Sequence, residues 1–315
     1  MLARRLLVLV SGAALFAPAC TGTPAAAPTA SPSPSTVSAS PTPARVEFDA
    51  ANALSHDRVL SVSIGPREAG SKAYVRAADY AASVFGRLGY RVTSQSVPLP
   101  SGKSQGVPVA AGVTQNVIAA PAGYDPAAPH LVVGAHLDTV VPSPGGNDNG
   151  SGAAVMLELA RLAASEPTAM PIVWIAFGGE ERRRPGVEGA TFGSRYYLAR
   201  LATAERRSLR GMLAIDMVGN GPVAYVCHES LTGDAFVEAL LASATRLHLP
   251  AQKRVVVGVF SDHAPFEHAG FLVAWLWSGE NATFHTPRDT FAVAQVSSID
   301  RIGRIAWDTL RSIRL

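Results

Sequence analysis

The chain has 315 residues, 48% of them apolar and 16% charged, with a net charge of +3. That composition supports a sizeable core and excludes a globally disordered chain. The charge is small and no basic run is interleaved with aromatics, which argues against nucleic acid as a partner.

Residues 1–19 read as an export signal. Arg4 and Arg5 form a charged start, residues 6–16 an apolar middle, and Ala17-Pro18-Ala19 a small-residue end. The apolar run is too short to span a bilayer as a helix. Cys20 follows directly, as in a bacterial lipobox, although Ala17 stands where Leu is usual. The expectation is a lipid anchor on Cys20, with a cleaved, freely secreted protein as the alternative. Residues 21–44 carry no charge and are almost entirely Pro, Ala, Ser and Thr. Such a stretch buries too little apolar surface to fold, and its prolines keep it extended, which suits a tether. The only other cysteine is Cys227, so a lipidated Cys20 leaves no disulfide.

The folded part is expected to be one domain over 45–315, since no composition break follows residue 45. Residues 46–62 look helical. Gly70 and Ser71 open a second helix, with Tyr74, Ala78, Ala81 and Phe85 on one face and Gly89 as its stop. Residues 90–97 and 113–120 read as strands, then 121–129 as a loop. Residues 131–136 are a short apolar run with β-branched members, the pattern of a buried strand. It ends on His136 and Asp138, which share a face at this spacing. Glycine-dense residues 145–152 follow and hold Asp148. A helix then carries Val155, Leu159, Leu162 and Ala163 on one side, with Asn149 or Ser151 as its cap.

Residues 171–177 form another apolar strand, ended by Gly178-Gly179-Glu180-Glu181. A polar loop over 182–190 precedes a helix over 192–204. Strands are expected at 212–215, ending on Asp216, and at 223–227. A helix over 234–247, strands at 255–260 and 271–277, a loop at 284–290 and a closing helix over 296–315 complete the chain. Strands alternate with helices, so the expected class is α/β: a three-layer αβα sandwich around a mixed, mostly parallel sheet.

Acidic and imidazole groups collect where these strands end: His136, Asp148, Glu180, Glu181, Asp216 and, later, His285. In a parallel sheet such ends share one edge, where ligands bind. Each has a bland reading alone: a strand-end His, a solvated Glu-Glu turn, an Asp capping a helix. Together, two imidazoles and three carboxylates suit two divalent zinc ions with one carboxylate shared, and a fourth carboxylate is left for proton transfer.

Here the sequence resembles the co-catalytic di-zinc aminopeptidases, a group that includes bacterial leucyl aminopeptidase and aminopeptidase Y. The resemblance covers most of 115–315. It rests on His136-Leu-Asp138-Thr139, Asn147-Asp148-Asn149-Gly150-Ser151-Gly152, Gly179-Glu180-Glu181, Asp216-Met217, Ser261-Asp262-His263-Ala264-Pro265-Phe266 and His285-Thr286-Pro287-Arg288-Asp289-Thr290. It implies that Asp148 bridges two Zn2+, that His136 and Asp216 complete one metal, and that Glu181 and His285 complete the other. Glu180 is then the general base and Asp138 the partner of His136. The peptide bond after the bridging Asp is expected to be cis. The implied substrates are peptides with a free N-terminus. Phe284 is a departure, because many relatives carry there a Tyr whose hydroxyl helps bind the oxyanion. Two other readings share the scaffold: a single-zinc glutaminyl cyclase and a binding protein without catalysis. The short His136-to-Asp148 spacing disfavours the first, and retention of all five ligands with Glu180 disfavours the second. Ser261-Asp262-His263 offers the residue types of a hydrolase triad, but consecutive residues rarely reach that geometry and no Gly-x-Ser-x-Gly elbow is present. Phe260, Trp275 and Trp277 are candidates for an apolar substrate pocket, weighed against a place in the core.

Overall fold

In the computed structural model the described residues are 46–258 and 261–315. The export signal, Cys20, the linker and Phe260 therefore lie outside them. The strands alternate in what they bury. Along β5 (His130–His136) Val133 faces one core and Val132 the other. The same holds for Trp174 and Ile175 on β6 (Ile172–Phe177) and for Leu213 and Met212 on β7 (Leu209–Ile215). A strand apolar on both sides must be covered on both. The result is a sheet between two helical layers, as expected for the α/β class.

Four more strands precede β5. They are β1 (Arg91–Leu99), the short hairpin β2 (Gly102–Ser104) and β3 (Val107–Val109), and β4 (Gly112–Ala120). After β7 come β8 (Ala224–His228), β9 (Ala251–Val255) and β10 (Leu272–Trp277). The main sheet has eight strands in the order β1-β4-β6-β5-β7-β10-β8-β9. The β6-β5-β7-β10 centre is parallel, while β1, β4 and the β10-β8 pair are antiparallel.

One face carries α1 (Ala50–Arg58), α2 (Lys72–Arg87), α3 (Gly152–Ser165), α6 (Ala235–Arg246) and α8 (Val296–Ser312), whose apolar sides share the larger core. Ser71 caps α2 by accepting from the Tyr74 N–H, and Gly89 follows at φ 86°, a conformation that suits glycine. The other face carries α4 (Phe192–Ala199) and α7 (Ala264–His268), with Tyr197, Leu198 and Phe266 on the sheet.

Three boundaries differ from expectation. The helix expected over 192–204 is two, α4 and α5 (Thr203–Ser208), and β7 begins at Leu209 directly after the second. The strand expected at 255–260 lies at Ala251–Val255, paired in parallel with β8. The β2–β3 hairpin was not foreseen, because its strands are three residues each and show no period.

Candidate active site

Parallel pairing of β5 with β6 and β7, and of β7 with β10, brings their carboxyl ends to one edge. His136 ends β5, Glu180 and Glu181 follow β6, Asp216 follows β7, and His285 lies in the loop beyond β10. Asp148 sits in the turn between β5 and α3, inside a π-helical segment where its own backbone is extended (φ −107°, ψ 96°). The Asp148–Asn149 peptide bond is cis. Met217 and His285 are held at φ 52° and 57°, in the left-handed region that few non-glycine residues occupy.

The five side chains meet in two sets that share Asp148. His136 Nε2 lies 3.4 Å from Asp148 Oδ1 and 3.3 Å from Asp216 Oδ1. His285 Nε2 lies 3.1 Å from Asp148 Oδ2 and 3.1 Å from Glu181 Oε2. Each oxygen of Asp148 thus faces a different set. All but His285 are buried.

A surrounding shell fixes these groups. Asp138 behaves differently from the expected carboxylate–imidazole pair. His136 Nδ1 is 3.0 Å from the main-chain carbonyl of Asp138 and 3.8 Å from its carboxylate. The carboxylate instead accepts the N–H groups of Gly179, Glu180 and Glu181 at 2.8 to 3.1 Å. Asp138 therefore sets the ring with its backbone and the Glu180-Glu181 turn with its side chain. Asn149 donates to the Ile215 carbonyl and accepts from the Met217 N–H, tying the Asp148 loop to the end of β7.

Three groups of this shell went unassigned in the sequence. Asp289 accepts the N–H groups of Asn147 at 2.9 Å and Asp148 at 3.0 Å. Buried Arg67 donates to the carbonyls of Leu137, Pro144 and Gly145. Gln105, at the β2–β3 turn, places its amide 2.5 Å from His285 Nδ1. Asp289 lies four residues after His285 in the same motif, and that position is its signal in the sequence. Arg67 and Gln105 gave none, being distant in sequence from each of the five side chains.

The electrostatics are those of a concentrated negative site. Burial opposes protonation of His285, yet Glu181 and Asp148 outweigh it and push its pKa up to about 11. Burial likewise opposes His136, and Asp216 with Asp148 raises it well above the usual imidazole range. Burial drives Glu180 well above the ordinary carboxyl range, a shift that Glu181 and Asp216 reinforce and His136 resists. A field that draws protons onto two imidazoles also attracts cations. His136 Nε2, Asp216 Oδ1 and Glu181 Oε1 are buried and have no hydrogen-bond partner. With atoms of three of the five groups orphaned, two imidazoles and three carboxylates in two sets fit a pair of zinc-type ions.

The site opens into a cavity of about 230 Å³, walled by Trp275, Trp277 and Phe284 beside Asp148, Glu180 and Asp216. Phe284 stacks on His285 with ring centres 3.7 Å apart and brings no hydroxyl. The Ser261-Asp262-His263 triad does not form: Ser261 Oγ and both His263 nitrogens lack hydrogen-bond partners.

Residues 116–310 match the model of peptidase family M28. The chain belongs to that family. The M28 chain is 33% identical over 265 residues to leupeptin-inactivating enzyme 1 of Streptomyces exfoliatus, covering 82% of this chain and 55% of that protein. It is 33% identical over 188 residues to aminopeptidase YwaD of Bacillus subtilis, covering 56% of this chain and 40% of the relative. It thus spans about half the length of these curated relatives. Among solved structures it resembles BSAP, a zinc aminopeptidase from Bacillus subtilis, at TM-score 0.74 and 21% identity, covering 83% of this chain and 94% of that one. That likeness bears on the fold, and it agrees with the three-layer architecture.

Proposed function

We propose that this M28 chain is an exported, zinc-dependent aminopeptidase that removes N-terminal residues from peptides. The observation that carries the reading is the convergence of His136, Asp148, Glu181, Asp216 and His285 into two donor sets sharing Asp148. The names of its relatives point the same way. In this reading His136, Asp148 and Asp216 hold one Zn2+, and Asp148, Glu181 and His285 hold the other. When bound, such a pair supplies Lewis acidity and brings the pKa of a water toward neutrality.

The chain's own residues then do the following. Glu180 stands among the ligands without belonging to either set, and it takes the proton of the attacking water on its carboxylate. It returns that proton to the nitrogen of the departing amine. Asp138, through three backbone N–H groups, keeps the Glu180-Glu181 turn in place for both roles. Trp275 and Trp277 offer an apolar wall to the first side chain of the peptide. The surplus of carboxylates favours a free α-ammonium beside it. Phe284 supplies no hydrogen bond to the oxyanion, so its stabilisation falls to the remaining groups.

Export and anchoring through Cys20 belong to the same proposal. Among the described residues no helix is long and apolar enough to cross a membrane. A relative from Mycobacterium tuberculosis, 34% identical over 99 residues, is named a probable lipoprotein aminopeptidase, LpqL.

The test is hydrolysis of a panel of aminoacyl-anilides with and without a chelator, alongside Glu180→Gln. The chelator should abolish turnover and Zn2+ should restore it. Glu180→Gln should lower kcat by about 10²–10⁴-fold, the usual worth of a general base, with metal content retained. Unchanged turnover in that variant removes Glu180 from the mechanism.

A further inference from the structure

A second set of metal-ligating side chains lies outside the site described above. Glu229, just past the end of β8, meets His263 and Glu267, at the start and within α7. One ligand atom from each lies within 4.8 Å of the others, and all three residues are buried. Two features set the cluster apart from an ordinary ion pair. His263 is fully buried, and neither of its ring nitrogens has a hydrogen-bond partner. His228 is also fully buried and neither of its nitrogens is hydrogen-bonded; its Nδ1 lies 3.6 Å from Asp234 and 3.9 Å from Glu267. Buried polar atoms are nearly always satisfied, so orphans collected at one point signal a missing partner. Two buried carboxylates side by side repel unless a positive charge lies between them. Among the described residues, Glu267 accepts the main-chain N–H groups of Glu229 and Leu231 and faces His228 Nδ1 at 3.9 Å, while Glu229 lies 3.0 Å from His268.

We propose that Glu229, His263 and Glu267 form a third, structural site for a divalent ion of the zinc type. One imidazole and two carboxylates are a zinc-like donor set, whereas calcium prefers oxygen alone. The site lies behind the wall of the substrate cavity. His263 stacks on Trp275 with ring centres 5.1 Å apart, and Trp275 stacks on Trp277 at the same separation. An ion held here locks α7 to the end of β8 and, through the ring stack, sets the position of the two tryptophans that line the cavity. The proposal does not depend on the aminopeptidase reading, since these ligands are separate from the five that carry it.

The test uses the full chain and zinc alone. Crystals of the wild-type chain soaked in Zn2+ should show an anomalous peak at the zinc edge between Glu229, His263 and Glu267. In solution, wild type should retain one more equivalent of zinc after dialysis than either Glu229→Gln or His263→Ala. The difference is read whatever the total, so failure of the catalytic assignment would not mimic failure here. No peak at this position overturns the proposal, whether or not the variants fold. So does equal zinc content in wild type and both variants with native circular dichroism, which would leave the cluster a set of hydrogen-bonded charges.

Discussion

Asp57 shows how much a single side chain can work against its surroundings. It is fully buried on α1, and neither carboxylate oxygen has a hydrogen-bond partner. It packs so closely on the glycine-dense loop that a Cβ at Gly150 would fall 2.3 Å from its Oδ1. Burial pushes its pKa up to about 7, against the opposing charge of Arg67. The folded state therefore holds this proton over a range where the unfolded chain, near pKa 3.8, has released it. Stability then falls as pH rises through that window. Asp57→Asn keeps the shape without the charge. Its melting temperature should match wild type near about pH 4 and exceed it near about pH 8. A difference that stays constant with pH would show that Asp57 is not titrating there.

At the scale of elements, the site depends on loops braced against one another. The turn from β5 into α3 carries Asp148, and the loop after β10 reaches across to hold it. Asp289 of that loop uses both carboxylate oxygens on the N–H groups of Asn147 and Asp148. Asn at this position keeps one acceptor and leaves a buried N–H unpaired, a cost of about 1–3 kcal/mol. Loss of such outer support typically weakens a metal site by about 10–100-fold. Zinc competition against a chromophoric chelator should show that loss in Asp289→Asn with the overall fold retained. Wild-type affinity in the variant would mean that the turn holds its shape without this bond. The same logic applies to Gln105, whose hairpin lies 180 residues from His285 in sequence and steadies its ring.

For the whole molecule, one sheet organises everything described. Its two faces are both apolar, its centre is parallel, and its carboxyl edge gathers the five side chains proposed as ligands. The domain is proposed to need nothing before residue 45. A chain beginning at Arg45 should therefore keep the kcat and melting temperature of the full one. The Cys20→Ser full chain should move from the membrane fraction to the soluble fraction with activity intact. A truncated chain that unfolds, or a Cys20→Ser protein that still sediments with membranes, would refute the respective claim.

The sequence by itself determined the class of fold, because apolar strands alternating with amphipathic helices leave little choice but a covered sheet. It also marked His136, Asp148, Glu180, Glu181, Asp216 and His285, since chemistry-bearing residues at strand ends are a local signal. The tertiary structure decided what depends on distance in the chain. It made Asp138 a support for the Glu180-Glu181 turn rather than a carboxylate on His136. It recruited Arg67, Gln105 and Asp289 as braces and stacked His263 on Trp275. It also brought Glu229 to Glu267. Asp289 and His263 lie in recognisable motifs, but neither motif names the partner across the fold, and Arg67, Gln105, Glu229 and Glu267 lie in none. Each pairing arises because the sheet fixes where loops from separate elements meet, and a hydrogen bond requires only that they meet.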